Sequence, residues 1–252
     1  MPNQSEILKQ RLFDSVARPW QDLLPESKVE TILNEEKIGY RKRLYTPIVT
    51  IWAMVYQVLC VDKSLSNTVK WLRKWLVIEG ESAPSSDTGG YSKARTRLPE
   101  IILERLVGES GVALEKAVPE APLWCGRPVK VFDGSTVLMS DTEDNQTEYP
   151  QHGNQQKGCG FPIARIVVFF SLVTGAVMAA TIGAWKTSET EMSRILYSML
   201  APGDVAMADQ LHGSYVDLAL IQQQGADGMI RKHHARKTDF RTGKKTGLAT
   251  TK

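Results

Sequence analysis

The chain has 252 residues, 42% of them apolar and 23% charged, with a formal net charge of +3. These fractions are those of an ordinary globular protein, and the length suits one large domain or two smaller ones. Three cysteines, Cys60, Cys125 and Cys159, are widely spaced with no CxxC pair, which argues against a structural zinc site or a disulfide framework. So weak a basic excess does not by itself indicate a nucleic-acid partner.

The opening, "MPNQSEILKQ", lacks the apolar core of a signal peptide, so the expected location is the cytosol. Up to about Pro122 the pattern is helical. An amphipathic segment beginning near Pro25 is closed by Asn34 to Lys37. The run "PIVTIWAMVYQVLCV", Pro47 to Val61, is about fifteen residues long, short of the roughly 18 needed to cross a bilayer. Arg41, Lys42 and Arg43 precede it and Asp62 and Lys63 follow, so it reads as a buried helix. A third helix, about Ser64 to Ile78, carries Leu65, Val69, Leu72 and Leu76 at helical spacing. Trp71 and Trp75 lie on the neighbouring stripe and read as a packed core face rather than a base-stacking one.

"EGESAPSSDTGG" is a loop. The segment from Tyr91 to Val118 is helical, with Pro99 breaking it or starting a new helix at Leu98. Tyr91, Lys93, Arg95 and Arg97 form a small basic patch with one aromatic, read either as a solvated face or as a DNA contact.

From Val129 the period changes. "VKVFDGSTVLM" is a strand candidate, and "ARIVVFFSLVTGAVMAATIGAW" is two strands joined at Thr174-Gly175. "SETEMSRILYSML" is a helix with Ser188 as cap and Glu191 in the capping-box position. "VAMAD" is a short strand, "GSYVDLALIQQQG" a second helix, and "GMIRKH" a further strand. Three strands, helix, strand, helix, strand implies a mixed sheet with flanking helices.

Asp133 stands in an apolar strand, where a carboxylate is costly unless something pairs with it. Asp133-Gly134 also reads as a turn dipeptide, and Asp209 as the cap of the helix near Gly213. If the two strands are neighbours, both carboxylates can reach one edge of the sheet, where ligands of open α/β sheets gather. Mg²⁺ suits such oxygen donors, and two ions roughly 3.5–4 Å apart serve phosphoryl transfer. Asp141, Glu143 and Asp144, in the acidic loop, are possible third ligands but read as solvent-facing.

Several long segments, in order, resemble the insertion-sequence-four family of DDE transposases. They are "YTPIVTIWAMVYQVLCVDKSLSNTV", "DTGGYSKARTRLPE", "DGSTVLMSDTEDNQTEYPQ", "GFPIARIVVFFSLVTGAV" and "PGDVAMADQLHGSYVDLALIQQQGADGMIRKHHARKTDFRTGKK". The resemblance implies an α/β chain, α+β overall. An N-terminal all-helical, DNA-binding-type domain (1–125) would precede a partial ribonuclease-H-like core (126–234), with a basic tail (235–252) beginning an insertion. It implies that Asp133 and Asp209 are catalytic metal ligands for Mg²⁺ or Mn²⁺ in a two-ion site. It also implies a double-stranded DNA partner (the transposon ends), a dimer with itself or a full-length transposase, and a nucleoid-associated location. No membrane and no small-molecule substrate is expected. Tyr91, Lys93, Arg95, Arg97, Arg231, Lys232, Arg236, Lys237 and Arg241 are the expected DNA contacts.

Two departures from the family pattern stand out. Where the family has Asp-Arg-Tyr-Phe or similar, this chain reads Asp209-Gln210-Leu211-His212, and His212, which could contact a metal, reads rather as an incidental loop histidine. The family's third carboxylate, a Glu in a Tyr-Arg-Glu-Lys signature, has no counterpart, since no Glu follows Glu191. The expectation is therefore a truncated copy that is inactive, or a DNA-binding module without chemistry that occupies transposon ends or inhibits the full-length enzyme.

Overall fold

The structure, a computed structural model, describes residues 24–232 apart from positions 42, 79, 81, 120–122, 155 and 157. The expected DNA contacts Arg236, Lys237 and Arg241 lie outside the described residues. The chain divides into two compact units, the first ending at Ser110 and the second beginning at Gly111.

In the first unit, α1 (Glu26–Glu35), α2 (Pro47–Leu59), α3 (Leu65–Ile78) and α4 (Gly89–Arg97) follow the expected order, and α5 (Glu100–Lys116) begins there. Thr46 caps α2 by accepting from the Val49 amide at 3.4 Å, and Pro47 occupies the first turn, where a missing N–H costs nothing. Pro99 forces an extended Leu98 between α4 and α5. Apolar residues at helical spacing fill two clusters. Val29, Ile32 and Leu33 meet Ile48, Ile51, Ile102 and Leu106. Ala53 meets Val69, Trp71, Leu72, Leu76 and Tyr91. Trp71 stacks on Tyr56 at 4.3 Å and Trp75 meets Trp52 edge-on at 5.6 Å, so this aromatic stripe belongs to the core.

The second unit is a five-stranded sheet of β1 (Val129–Leu138), β2 (Ile163–Ser171), β3 (Val177–Ala184), β4 (Val205–Ala208) and β5 (Asp227–Ile230). The strand order is β3-β2-β1-β4-β5. β1–β2 and β2–β3 are antiparallel, whereas β1–β4 and β4–β5 are parallel. The fold is thus the expected mixed α/β one, compatible with a ribonuclease-H-like sheet. At the β2–β3 hairpin Gly175 takes φ +68°, open to glycine without a Cβ penalty, and its N–H donates to the Ser171 carbonyl at 2.8 Å.

Helix α7 (Glu189–Leu196), continued by a 3₁₀ turn (Tyr197–Met199), precedes β4, and α8 (Tyr215–Gln223) precedes β5. Met192, Leu196 and Tyr197 pack on Phe132, Val167 and Phe169 of the sheet, the core of this unit. Arg127 holds the starts of β4 and β5 together. Its guanidinium donates to the carbonyls of Gly203 and Asp204 and meets the Asp227 carboxylate at 2.8 Å.

Two local expectations differ from what forms. Ser188 precedes α7 but caps it with no side-chain bond; its hydroxyl pairs instead with Thr190 at 2.8 Å, so no capping box forms with Glu191. The acidic stretch after β1 is not all loop: α6 (Glu143–Glu148) forms there. Thr142 accepts from the Asn145 amide, and Glu143 and Asp144 complement the positive end of the helix. Among the described residues no helix is long and apolar enough to cross a membrane.

Candidate metal centre

The parallel ladder between β1 and β4 sets Val129 opposite Val205, Lys130 opposite Ala206 and Val131 opposite Met207. The same register carried two residues further brings Asp133 level with Asp209, just past the end of β4. The strands bearing the two expected ligands are therefore neighbours, at the kind of strand end where α/β sheets gather ligands.

Asp133 is exposed on β1, and its Oδ1 accepts from the Gly134 amide at 3.0 Å. Asp209, its side chain 56% exposed, caps the short 3₁₀ turn Gln210–His212 rather than α8, accepting from the Leu211 amide at 2.8 Å. Ser214 takes the α8 cap, accepting from the Asp217 amide at 3.0 Å.

The turn that Asp209 caps drives His212 inward. Its side chain is 1% exposed, which corrects the reading of an incidental loop histidine. Nδ1 lies 3.2 Å from the Tyr197 hydroxyl, and Nε2 lies 3.7 Å from Glu189 Oε1 and 4.0 Å from Asp209 Oδ1. Burial, with the charge of Asp217, pushes the Tyr197 phenol well above its ordinary range, so the hydroxyl keeps its proton at neutral pH.

Asp217 is itself a buried carboxylate. Burial alone would raise its pKa, but the Arg194 guanidinium, donating to Oδ1 at 2.8 Å, and the Ser214 hydroxyl on Oδ2 outweigh that and hold it below the usual carboxylate range.

Glu189, the first residue of α7, was not among the sequence candidates. Its carboxylate lies against Gly134, where a methyl group would fall within 2.7 Å of all three carboxylate atoms. The ligand atoms of Glu189, Asp209 and His212 all lie within 4.8 Å of one another, the one such group of three or more among the described residues, and Asp133 is not in it. Two ligands each about 2.1 Å from a shared ion stand about 3 Å apart when adjacent and about 4 Å when opposite. Two carboxylates and an imidazole are donors that suit a divalent cation, which would draw them closer together than the 3.7 and 4.0 Å seen here.

The alternative third ligands are not in that group. Glu143 and Asp144 occupy the exposed first turn of α6, and Asp141 accepts from the Gln146 amide group at 2.8 Å.

Of the expected DNA contacts, Lys93, Arg95 and Arg97 are exposed on α4, and Arg231 and Lys232 are exposed after β5. Tyr91 is 0% exposed; its hydroxyl donates to Gln57 at 2.9 Å and its ring packs in the core, so no base can stack on it. Arg97 instead shares a cavity of about 450 Å³ with Arg41, Arg43, Tyr40 and Tyr45, a grouping that linear spacing did not suggest.

No protein-family model matches the chain. The transposase InsG for insertion sequence element IS4 of Escherichia coli (strain K12) is 23% identical over 223 residues, covering 87% of this chain. That alignment covers 49% of the relative, so the chain spans about half the length of the protein it matches. A distant likeness to an insertion-sequence transposase thus extends over most of this chain.

Proposed function

We propose that the chain is the DNA-binding and catalytic-core portion of a DDE-type transposase, which excises and joins DNA by metal-dependent phosphoryl transfer. The observation that carries this reading is the parallel pairing of β1 with β4, whose register, extended two residues, sets Asp133 level with Asp209 beyond the end of β4. The distant likeness to an insertion-sequence transposase supports it.

In this reading Asp133 and Asp209 are the catalytic carboxylates that hold a divalent cation, Mg²⁺ or Mn²⁺. When bound, such a cation supplies Lewis acidity to a DNA phosphate and its attacking oxygen. The Leu211 amide orients the Asp209 carboxylate, and the Gly134 amide that of Asp133. Lys93, Arg95, Arg97, Arg231 and Lys232 meet the phosphates of double-stranded transposon ends.

The test is a gel shift and a nicking assay, run side by side on DNA carrying the ends of the chain's own element. The expected result is a salt-sensitive shift with Mg²⁺-dependent nicking. Asp133→Asn and Asp209→Asn should each lower the nicking at least about a hundredfold, the scale of a lost metal contribution. Absence of a shift, or nicking that survives both substitutions, overturns the proposal. A shift with no nicking favours the second reading, a DNA-binding module that occupies the ends or inhibits a full-length transposase; the exposed Lys93, Arg95, Arg97, Arg231 and Lys232 are the observation behind it.

A further inference from the structure

We propose that Glu189, Asp209 and His212 form a mixed carboxylate–imidazole site that takes a first-row transition dication, of the Mn²⁺ to Zn²⁺ class, in preference to Mg²⁺. The inference rests on reading the sheet edge at Asp133 and Asp209 as a metal centre, and it names a donor set there that the family resemblance does not supply.

The acidic pair alone would not carry this, since neighbouring carboxylates are common on protein surfaces. The independent observation is His212. Its ring is almost wholly buried, Nδ1 is held by the Tyr197 hydroxyl, and Nε2 faces Glu189 Oε1 at 3.7 Å and Asp209 Oδ1 at 4.0 Å, beyond hydrogen-bond length from either. A cation between the three groups would take the imidazole nitrogen as a ligand and offset the charge of both carboxylates.

The surroundings can support the tautomer that a ligand requires. The Tyr197 hydroxyl oxygen keeps lone pairs that can accept a hydrogen bond. It can accept from His212 Nδ1–H at 3.2 Å, which leaves the Nε2 lone pair pointing at Glu189 and Asp209. A metal-bound histidine whose other nitrogen donates to an oxygen is the usual arrangement, and it fixes both tautomer and ring orientation.

Glu189 reaches the same point only because β1 has glycine at position 134. The imidazole sets the selectivity. Mg²⁺ favours all-oxygen sites, whereas a ring nitrogen shifts preference toward the transition ions.

The experiment is Mn²⁺ binding to the full 252-residue chain in the absence of DNA, read by loss of the free-ion electron paramagnetic resonance signal and by ¹⁴N coupling to the bound ion. The expected result is one tight Mn²⁺ with imidazole nitrogen coupling, retained in excess Mg²⁺. Glu189→Gln weakens it more than about tenfold, and Tyr197→Phe about tenfold by freeing the ring. His212→Gln removes the nitrogen coupling. Because His212 is buried, Glu189→Gln, a half-buried position, keeps the test decisive if the histidine variant does not fold. Wild-type chain that binds no Mn²⁺, or binds it without nitrogen coupling, overturns the proposal. So does unchanged binding in Glu189→Gln. If Asp133→Asn abolishes Mn²⁺ binding while Glu189→Gln leaves it intact, this donor set is wrong and the Asp133/Asp209 reading stands. Tight, nitrogen-coupled Mn²⁺ in a chain that neither shifts nor nicks DNA upholds the site and sinks the transposase reading instead.

Discussion

Glycine at position 134 allows a carboxylate from a different element to lie directly on a β-strand, and alanine there tests whether that contact matters. The obstruction would be the far end of a flexible glutamate rather than backbone. In Gly134→Ala the Glu189 side chain therefore swings away at little cost to the fold. Alanine also loses less conformational freedom than glycine in a strand, an offset of about 0.5–1 kcal/mol. Thermal stability is expected to stay within a few degrees of wild type while Mn²⁺ binding weakens as much as in Glu189→Gln. Wild-type Mn²⁺ affinity in folded Gly134→Ala would show that the approach of Glu189 to β1 has no part in holding the ion. The same residue shows how far the sequence could be read. Asp133-Gly134 looks like a turn dipeptide because its meaning lies in a helix more than fifty positions later. A glycine beside an acidic strand residue, followed by a helix with an acidic first turn, is the only linear trace of Glu189. His212 could be named as a possible metal contact but not favoured, since "DQLH" after a strand gives no sign that the next turn points inward.

Helices α7 and α8 bring Glu189, Tyr197 and His212 together, and Arg194 of α7 joins them by donating to Asp217 of α8. Removing Arg194 leaves Asp217 buried with Ser214 as its remaining close side-chain donor, which should cost about 1–3 kcal/mol at neutral pH. Because Arg194 is partly exposed, the lower half of that range is expected. The sign of the pH dependence follows from the depressed folded-state pKa of Asp217. Its stabilisation is complete above the unfolded carboxylate value, near 4, and is lost as pH falls through the lower folded value. Arg194→Ala raises that folded value. The difference in melting temperature between variant and wild type should then be widest near pH 7 and close as both are taken to about pH 2. A gap that stays constant with pH would mean that Arg194 acts through packing rather than through the Asp217 charge. At this scale the sequence was informative where period was strong. The strand alternation of 163–171 and the helical spacing of 189–196 both appear as elements, with Phe169, Met192 and Leu196 on their buried faces. Helix α6 was missed because six polar residues have no apolar period, and its Thr142 cap works through the local backbone alone.

For the molecule as a whole, the charge map redirects the expected DNA contacts. The linear cluster Tyr91, Lys93, Arg95, Arg97 suggests an aromatic-basic patch, but helical geometry sends Tyr91 into the core and leaves its basic neighbours outside. Folding adds what spacing could not show: Arg97 lines one cavity with Arg41 and Arg43, which come from before α2. If this surface meets phosphates, each contact releases counterions and adds about 0.9 to the slope of log affinity against log salt. Arg97→Ala and Arg41→Ala should each lower that slope by about one and weaken binding equally on DNAs of different sequence, as phosphate contacts do. Tyr91→Phe, which removes only the hydrogen bond to Gln57, should leave DNA affinity unchanged while lowering stability by about 0.5–1.5 kcal/mol. Fluorescence titrations of the full chain at several salt concentrations separate the cases. An unchanged slope in both arginine variants removes the cavity from the DNA interface. A loss confined to one DNA sequence would mean that the arginines read base edges, since a phosphate contact is blind to sequence. A large loss of affinity in folded Tyr91→Phe would mean that DNA binding opens α4 away from its own core.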